Sequence, residues 1–208
     1  RNIIKFKIFF ILFFIILSNS DQSIAAKWNI TVTGYLAGFK VGKSFGIFEI
    51  KDNFYSLNME SSTIGLTSIV YPWIQKISVS GNINNGNIMP ISYKINDYRG
   101  ADKEGHIYIN YENKIPIIIS SEPDALNDSR RQNVSNTLKI NSFDPVTSII
   151  ALSILSSKNI CNTIIPVFDG RRRFDLEYRN IEKNDDILLC NLNIKRIAGY
   201  SDKELKKH

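Results

Sequence analysis

The sequence predicts a mainly β protein: a strongly curved antiparallel sheet, an open barrel or β-spiral, wrapped around one buried α-helix. Three observations predict it. Apolar and polar residues alternate over most of the stretch from Trp28 to Ile119, the period of a half-buried strand. Clusters of glycine and asparagine break these runs at short intervals, as hairpin turns require. One segment, from Pro145 to about Ser156, is instead apolar on most faces, the pattern of a buried helix.

The N-terminus comes first. Arg1, Lys5 and Lys7 precede an unbroken apolar run from Ile8 to Leu17, and Ser18 to Ala26 is polar and ends in small residues. This layout predicts a secretory signal peptide over residues 1–25, with Ser23 and Ala25 as the −3 and −1 residues of the cleavage site. The apolar run is about half of the roughly twenty residues that a spanning helix needs, and no cysteine follows it to carry a lipid. The expected mature chain, residues 26–208, is a single β-rich domain with no transmembrane span. Its formal charge is mild: the full chain carries +6, and Arg1, Lys5, Lys7 and Asp21 remove +2 with the leader. Scattered charge of this size does not build a nucleic-acid face, and the expected location is the periplasm.

The strands follow in order. Trp28, Ile30 and Val32 alternate, and Gly34 to Gly42 reads as a glycine-punctuated turn into Phe45 and Ile47. Tyr55, Leu57 and Met59 mark a third strand. Ile77 and Val79 lead to the turn cluster Gly81 to Gly86, followed by Ile91, Tyr93 and Ile95. Ile107, Ile109 and Tyr111 alternate again, and Ile115 to Ile119 is apolar. Ser62 to Tyr71 breaks the pattern as a short helix or a loop over the sheet. Asp124 to Asn136, polar and aperiodic, is expected to be a mobile loop.

Asp144 and Pro145 predict the start of the main helix, a capping carboxylate followed by a proline whose missing N–H costs nothing in the first turn. Asp169-Gly170 between apolar runs predicts a hairpin whose two central residues both take positive φ. After it, Phe174, Leu176 and Tyr178 face inward, and Arg173, Asp175, Glu177 and Arg179 outward. The partner strand presents Leu188, Cys190, Leu192 and Ile194 to the same interior. Arg171 and Arg173 are therefore expected to be exposed and open to an anionic ligand, whereas Arg172 falls on the apolar side and needs a buried partner. Cys161 and Cys190 are the only cysteines. In an oxidising compartment they are candidates for one disulfide, the alternative being two buried thiols.

In this order and spacing, Asp144-Pro145-Val146, Cys161, the run Pro166 to Leu176, Cys190 and Arg196-Ile197-Ala198-Gly199-Tyr200 resemble the alphaproteobacterial branch of the domain-of-unknown-function 3108 family. Gly34 to Gly42 fits the same family. The resemblance implies an exported envelope protein with no assigned activity. Relatives continue past the Ile-Ala-Gly-Tyr segment with further strands, so a member truncated here would leave an open edge of the sheet.

Catalysis has little support in the residues. Two histidines stand apart, no zinc-binding spacing occurs, and neither a nucleophile elbow nor a phosphate-binding glycine loop is present. No metal, no cofactor and no catalytic residue is expected. Three functions remain: a non-catalytic periplasmic module binding a lipid, an acyl chain or an envelope protein; a hydrolase of envelope polymers using carboxylates near Asp169 and Asp175; and a scaffold whose interior the helix fills. An open apolar interior favours the first, and a polar cleft converging on those carboxylates the second.

Overall fold

The computed structural model describes residues 25–100, 104–154, 160–183 and 188–206. Residues 1–24 of the expected signal peptide and the last residues of the predicted main helix lie outside the described residues. Seven strands form one antiparallel sheet in chain order: β1 (Ala25–Leu36), β2 (Phe39–Lys51), β3 (Phe54–Thr63), β4 (Trp73–Asn84), β5 (Asn87–Arg99), β6 (Glu104–Glu112) and β7 (Ile115–Glu122). A second sheet holds β8 (Ile164–Phe168), β9 (Arg173–Lys183) and β10 (Leu188–Ala198), with β9 in the centre. The large sheet is not closed into a barrel: β1 and β7 are its two edges.

The hairpins are tighter than the glycine clusters suggest. Strands β1 and β2 turn at Ala37-Gly38 alone, and β4 and β5 at Asn85-Gly86, each pair with both φ values positive. Asn113-Lys114 does the same between β6 and β7. Such mirror-image turns match the twist of the flanking strands. Gly34, Gly42 and Gly81, expected in turns, instead lie within strands. At Gly81 the reason is packing: a Cβ there would stand 2.5 Å from the Tyr55 hydroxyl and 2.5 Å from the Met89 carbonyl oxygen. Glycine lets the Tyr55 ring lie flat on β4.

The register aligns the inner face into rows. Trp28, Phe48, Leu57, Val79, Tyr93 and Ile109 form one row across β1 to β6, and Ile30, Gly46, Met59, Ile77, Ile95 and Ile107 the next. The main core packs on these rows, with Val134, Ile150 and Phe168 covering them. A smaller cluster joins Ile165, Val167 and Leu176 of the second sheet to Phe143 and Leu152.

Among the described residues, four short α-helices, α1 (Leu66–Val70), α2 (Asn136–Lys139), α3 (Pro145–Ile154) and α4 (Asp202–Leu205), and a 3-10 turn at Ile160–Asn162 accompany the strands. The break at Ser62 to Tyr71 is thus a helix, and it buries none of its residues. The predicted main helix is α3, but the sheet does not enclose it. Thr147, Ser148 and Ile150 are its buried residues, while Ile149 is 63% exposed. Polar groups turn inward because buried Asp144 and Tyr55 need partners there, which leaves an aliphatic residue outside. The loop before α3 is also different from expectation. Ala125 and Val134 are buried, and Asp124 accepts the backbone N–H groups of Leu126 and Asn127, so the segment is tied to the domain at several points.

Candidate functional site

Asp144 begins the motif region as the cap of α3. Its carboxylate accepts the backbone N–H groups of Val146 at 3.1 Å and Thr147 at 2.8 Å, two of the orphan donors of a helix start. It is fully buried. Burial pushes its carboxyl up, against the downward pull of these hydrogen bonds. Tyr111 donates to it at 3.4 Å, and the Tyr55 hydroxyl lies 3.4 Å from that of Thr147. Burial raises Tyr55, Tyr93 and Tyr111 too, with the Asp144 charge adding to the effect. This is a polar knot of mutually committed groups within an apolar core.

Asp169 and Gly170 do turn the chain, but in a loop of four residues. Phe168 pairs with Arg173, the Asp169 N–H donates to the Arg172 carbonyl at 3.1 Å, and only Gly170 takes a positive φ, at 93°. The Asp169 carboxylate accepts the N–H groups of Arg171 at 2.8 Å and Arg172 at 2.7 Å. An aspartate that closes its own turn replaces the two-residue turn expected from the Asp-Gly pair.

The three arginines are distributed differently from expectation. Arg173 is only 9% exposed; it donates to the Leu138 and Phe174 carbonyls and pairs with Asp175 at 2.7 Å. Arg171 donates to the Pro123 carbonyl and lies 3.6 Å from Asp128. Neither is an open anion grip, because loop 123–135 and α2 lie against the face that alternation assigns to solvent. Glu177, also expected outward, is likewise buried and accepts from Asn193. Arg172 does pair with a carboxylate, Glu204, and lies 3.7 Å from Asp169. Its Nε is buried without an acceptor, so the pairing rests on the two terminal nitrogens.

Two hub carboxylates were not among the sequence candidates. Asp128 accepts from Arg130 and Arg131, and the Arg130 hydrogen bond holds it well below the usual carboxylate range. Glu204 binds Arg131 and Arg172 and accepts from both the N–H and the hydroxyl of Ser201. Burial works upward on Glu204, but those bonds and the Arg172 charge outweigh it and hold the group at about 2. The Ser201-x-x-Glu204 capping box was the signal available in the sequence. Gly199 completes the junction: φ is 80°, and a Cβ would stand 2.0 Å from the Arg171 carbonyl oxygen. The Ala-Gly-Tyr segment and the arginine turn are therefore one contact.

Cys161 and Cys190 form a disulfide. It links the chain before β8 to β10, the two strands that flank β9 without pairing to each other. The apolar side of β10 is less sheltered than expected, with Leu192 and Ile194 about half exposed, because β10 is an edge of its sheet.

Two features bear most directly on ligand binding. A cleft of about 700 Å³ beside the arginine turn has Tyr93, Ile95 and Ile107 as its floor and Asp97 and Asp169 on its rim. Asp97 accepts from the Trp73 indole and pairs with Arg99 at 2.7 Å, and Asp169 serves its own backbone. Asp175 does not line this cleft, so Asp169 and Asp175 do not converge on it. The second feature is the inner face of β1 and β2. Along the first core row, exposure falls from 47% at Trp28 to 0% at Ile109. The cover lies over β3 to β6 and leaves Trp28 and Val32 open, with Trp28 stacked on Phe48 at 5.4 Å. On the same face of β2, Gly42, Ser44 and Gly46 carry no bulky side chain, and Gly46 is itself buried.

Among the described residues no group of three His, Cys, Asp or Glu side chains is placed to hold a metal, and no helix is long and apolar enough to cross a membrane. Residues 26–188 match the family model described as protein of unknown function (DUF3108). The chain belongs to this family. The DUF3108 match covers all seven strands of the large sheet except the first residue of β1, together with α3, the arginine turn and Cys161. Glu204 and Gly199, which close the arginine cluster, stand beyond the matched residues. No curated protein and no solved structure matches the chain. Its disulfide fits an exported DUF3108 protein.

Proposed function

We propose that the protein is a non-catalytic periplasmic component of the cell envelope that holds an acyl chain along the uncovered inner face of β1 and β2. The observation that carries this reading is the exposure gradient from Trp28 to Ile109. An apolar strip led by Trp28 and Val32, beside the small residues Gly42 and Ser44 of β2, offers hydrocarbon a surface. The same gradient weighs against a scaffold with a filled interior. The commitments of Asp169 to two backbone amides and of Asp175 to Arg173 weigh against hydrolysis. The leader layout and the disulfide support export; Edman sequencing of the processed product should begin at Ala26.

The test uses the two tryptophans, Trp28 and Trp73. In Trp73→Phe, Trp28 is the sole indole reporter, and a bromine-labelled fatty acid or phospholipid should quench it at saturating concentration. The quenching should vanish in Val32→Asp, which puts a charge on the strip. Unquenched Trp28 fluorescence, or equal quenching in Val32→Asp, overturns the acyl-chain reading.

A further inference from the structure

We propose that the end of the sheet formed by the β1–β2 turn and α1 is a membrane-docking tip that inserts into the headgroup boundary of an anionic bilayer. The two segments are one surface: the Ile64 N–H donates to the Val41 carbonyl at 3.1 Å, and Gly65 lies against the Lys40 carbonyl. Leu66, Ile69 and Val70 of α1 are each more than three-quarters exposed, and Leu36 and Phe39 at the turn are exposed to nearly the same degree. None of the five serves a core. A single exposed aliphatic needs no explanation, but five contiguous ones on two elements form a patch of the kind that marks an interaction site.

The chemistry of the rim selects the partner. Tyr35 and Tyr71, both exposed, flank the aliphatic residues. Rings with an apolar body and a polar tip favour the level of the lipid headgroups. The charge agrees. Residues 34–44 and 61–74 contain Lys40 and Lys43, both exposed, and no carboxylate. Two cations beside an apolar tip complement an anionic headgroup layer, with each basic residue adding to the attraction near the surface. A protein partner would need complementary acidic groups and a shaped pocket; a bilayer needs only the apolar tip and the cationic rim. The aliphatic residues of the tip are distinct from Trp28 and Val32 of the acyl strip.

Sedimentation with sucrose-loaded vesicles tests the proposal. The full mature chain should bind vesicles of phosphatidylcholine mixed with phosphatidylglycerol and bind pure phosphatidylcholine at least about tenfold less well, the bound fraction falling with added salt. Ile69→Asp with Val70→Asp should reduce binding to the mixed vesicles by about a hundredfold, while circular dichroism and melting stay unchanged because both side chains are exposed. Lys40→Gln with Lys43→Gln should leave weak binding that no longer distinguishes the two vesicle types. In the Trp73→Phe background, the aspartate pair should leave quenching of Trp28 by a soluble bromine-labelled fatty acid as it was, because Ile69 and Val70 are not on the acyl strip; this separates the inference from the acyl-chain reading. The proposal is overturned if the wild type fails to sediment with mixed vesicles, or if the aspartate pair binds equally well. It is also overturned if the aspartate pair instead abolishes a concentration-dependent dimer seen in the absence of lipid.

Discussion

Replacing Cys161 and Cys190 together by alanine should destabilise the domain by an amount that follows from the chain. The bridge joins residues 29 apart, so it closes a loop of 30 residues counted inclusively. In the chain-entropy treatment such a loop stabilises by about 3.6 kcal/mol at 25 °C. For a domain of this size each kcal/mol moves the melting temperature by about 2–4 °C, giving a drop of about 7–14 °C. The location adds a local expectation. β10 pairs with β9 along one side only and exposes much of its length, so the bridge is what restrains its outer end. Amide exchange should therefore accelerate most in β10, less in β8 and least in β3 to β5. Urea melts of wild type with and without a thiol reductant, beside the double variant, provide the assay. Alanine avoids burying a serine hydroxyl at Cys161, which is almost fully enclosed. A loss below about 1 kcal/mol, or uniform acceleration of exchange across both sheets, would refute the reasoning.

Three further outcomes are expected. Asp144 has a raised folded-state carboxyl, so the unfolded chain releases its proton first and the Asp144 contribution to stability should fall as pH rises above about 3.8, by up to about 1.4 kcal/mol per unit. Asp144→Asn keeps a good cap and should gain on the wild type across that window in pH-dependent melts; a constant difference at all pH values would exclude the effect. Glu204 is held at about 2, so its contribution is present above about 4.5 and is lost as pH falls toward 2; a double-mutant cycle of Glu204→Gln and Arg172→Ala at neutral pH should give a coupling of about 1 kcal/mol that is absent in strong acid. Gly199→Ala should destabilise by about 1–3 kcal/mol, since the new Cβ meets the Arg171 carbonyl at a position where φ is 80°; an unchanged melting temperature would show that the junction yields freely.

The local devices of this chain were legible in its sequence. Alternation at Trp28, Tyr55, Ile77, Tyr93 and Ile107 announced the strands, Asp144-Pro145 the helix start and Asp169 the hairpin, because each depends on neighbours within a few positions. The pairing of Cys161 with Cys190 and of Arg172 with a carboxylate was also within reach, one from the cysteine count and the other from the cost of an unpaired charge. Turn width was less legible: in Gly81 to Gly86 only Asn85-Gly86 turns the chain, since Gly81 is glycine to admit the Tyr55 ring from a different strand.

The rest required the tertiary structure. Alternation sent Arg173 and Glu177 outward, but a strand has no fixed outside until its sheet is docked, and loop 123–135 and α2 fall on that face. The helix α3 looked buried all round, yet Asp144 and Tyr55 draw Thr147 and Ser148 inward and so turn Ile149 to solvent. Trp28 and Val32 carry the same pattern as Leu57 and Val79; only the placement of Val134, Ile150 and Phe168, which pack on the core that holds Leu57 and Val79, leaves one pair open and encloses the other. Sequence by itself determined which residues could lie on a common face, because side-chain period is a local property of the backbone. Which faces meet another layer is set by long-range packing, and that alone decided where this protein keeps an uncovered apolar surface.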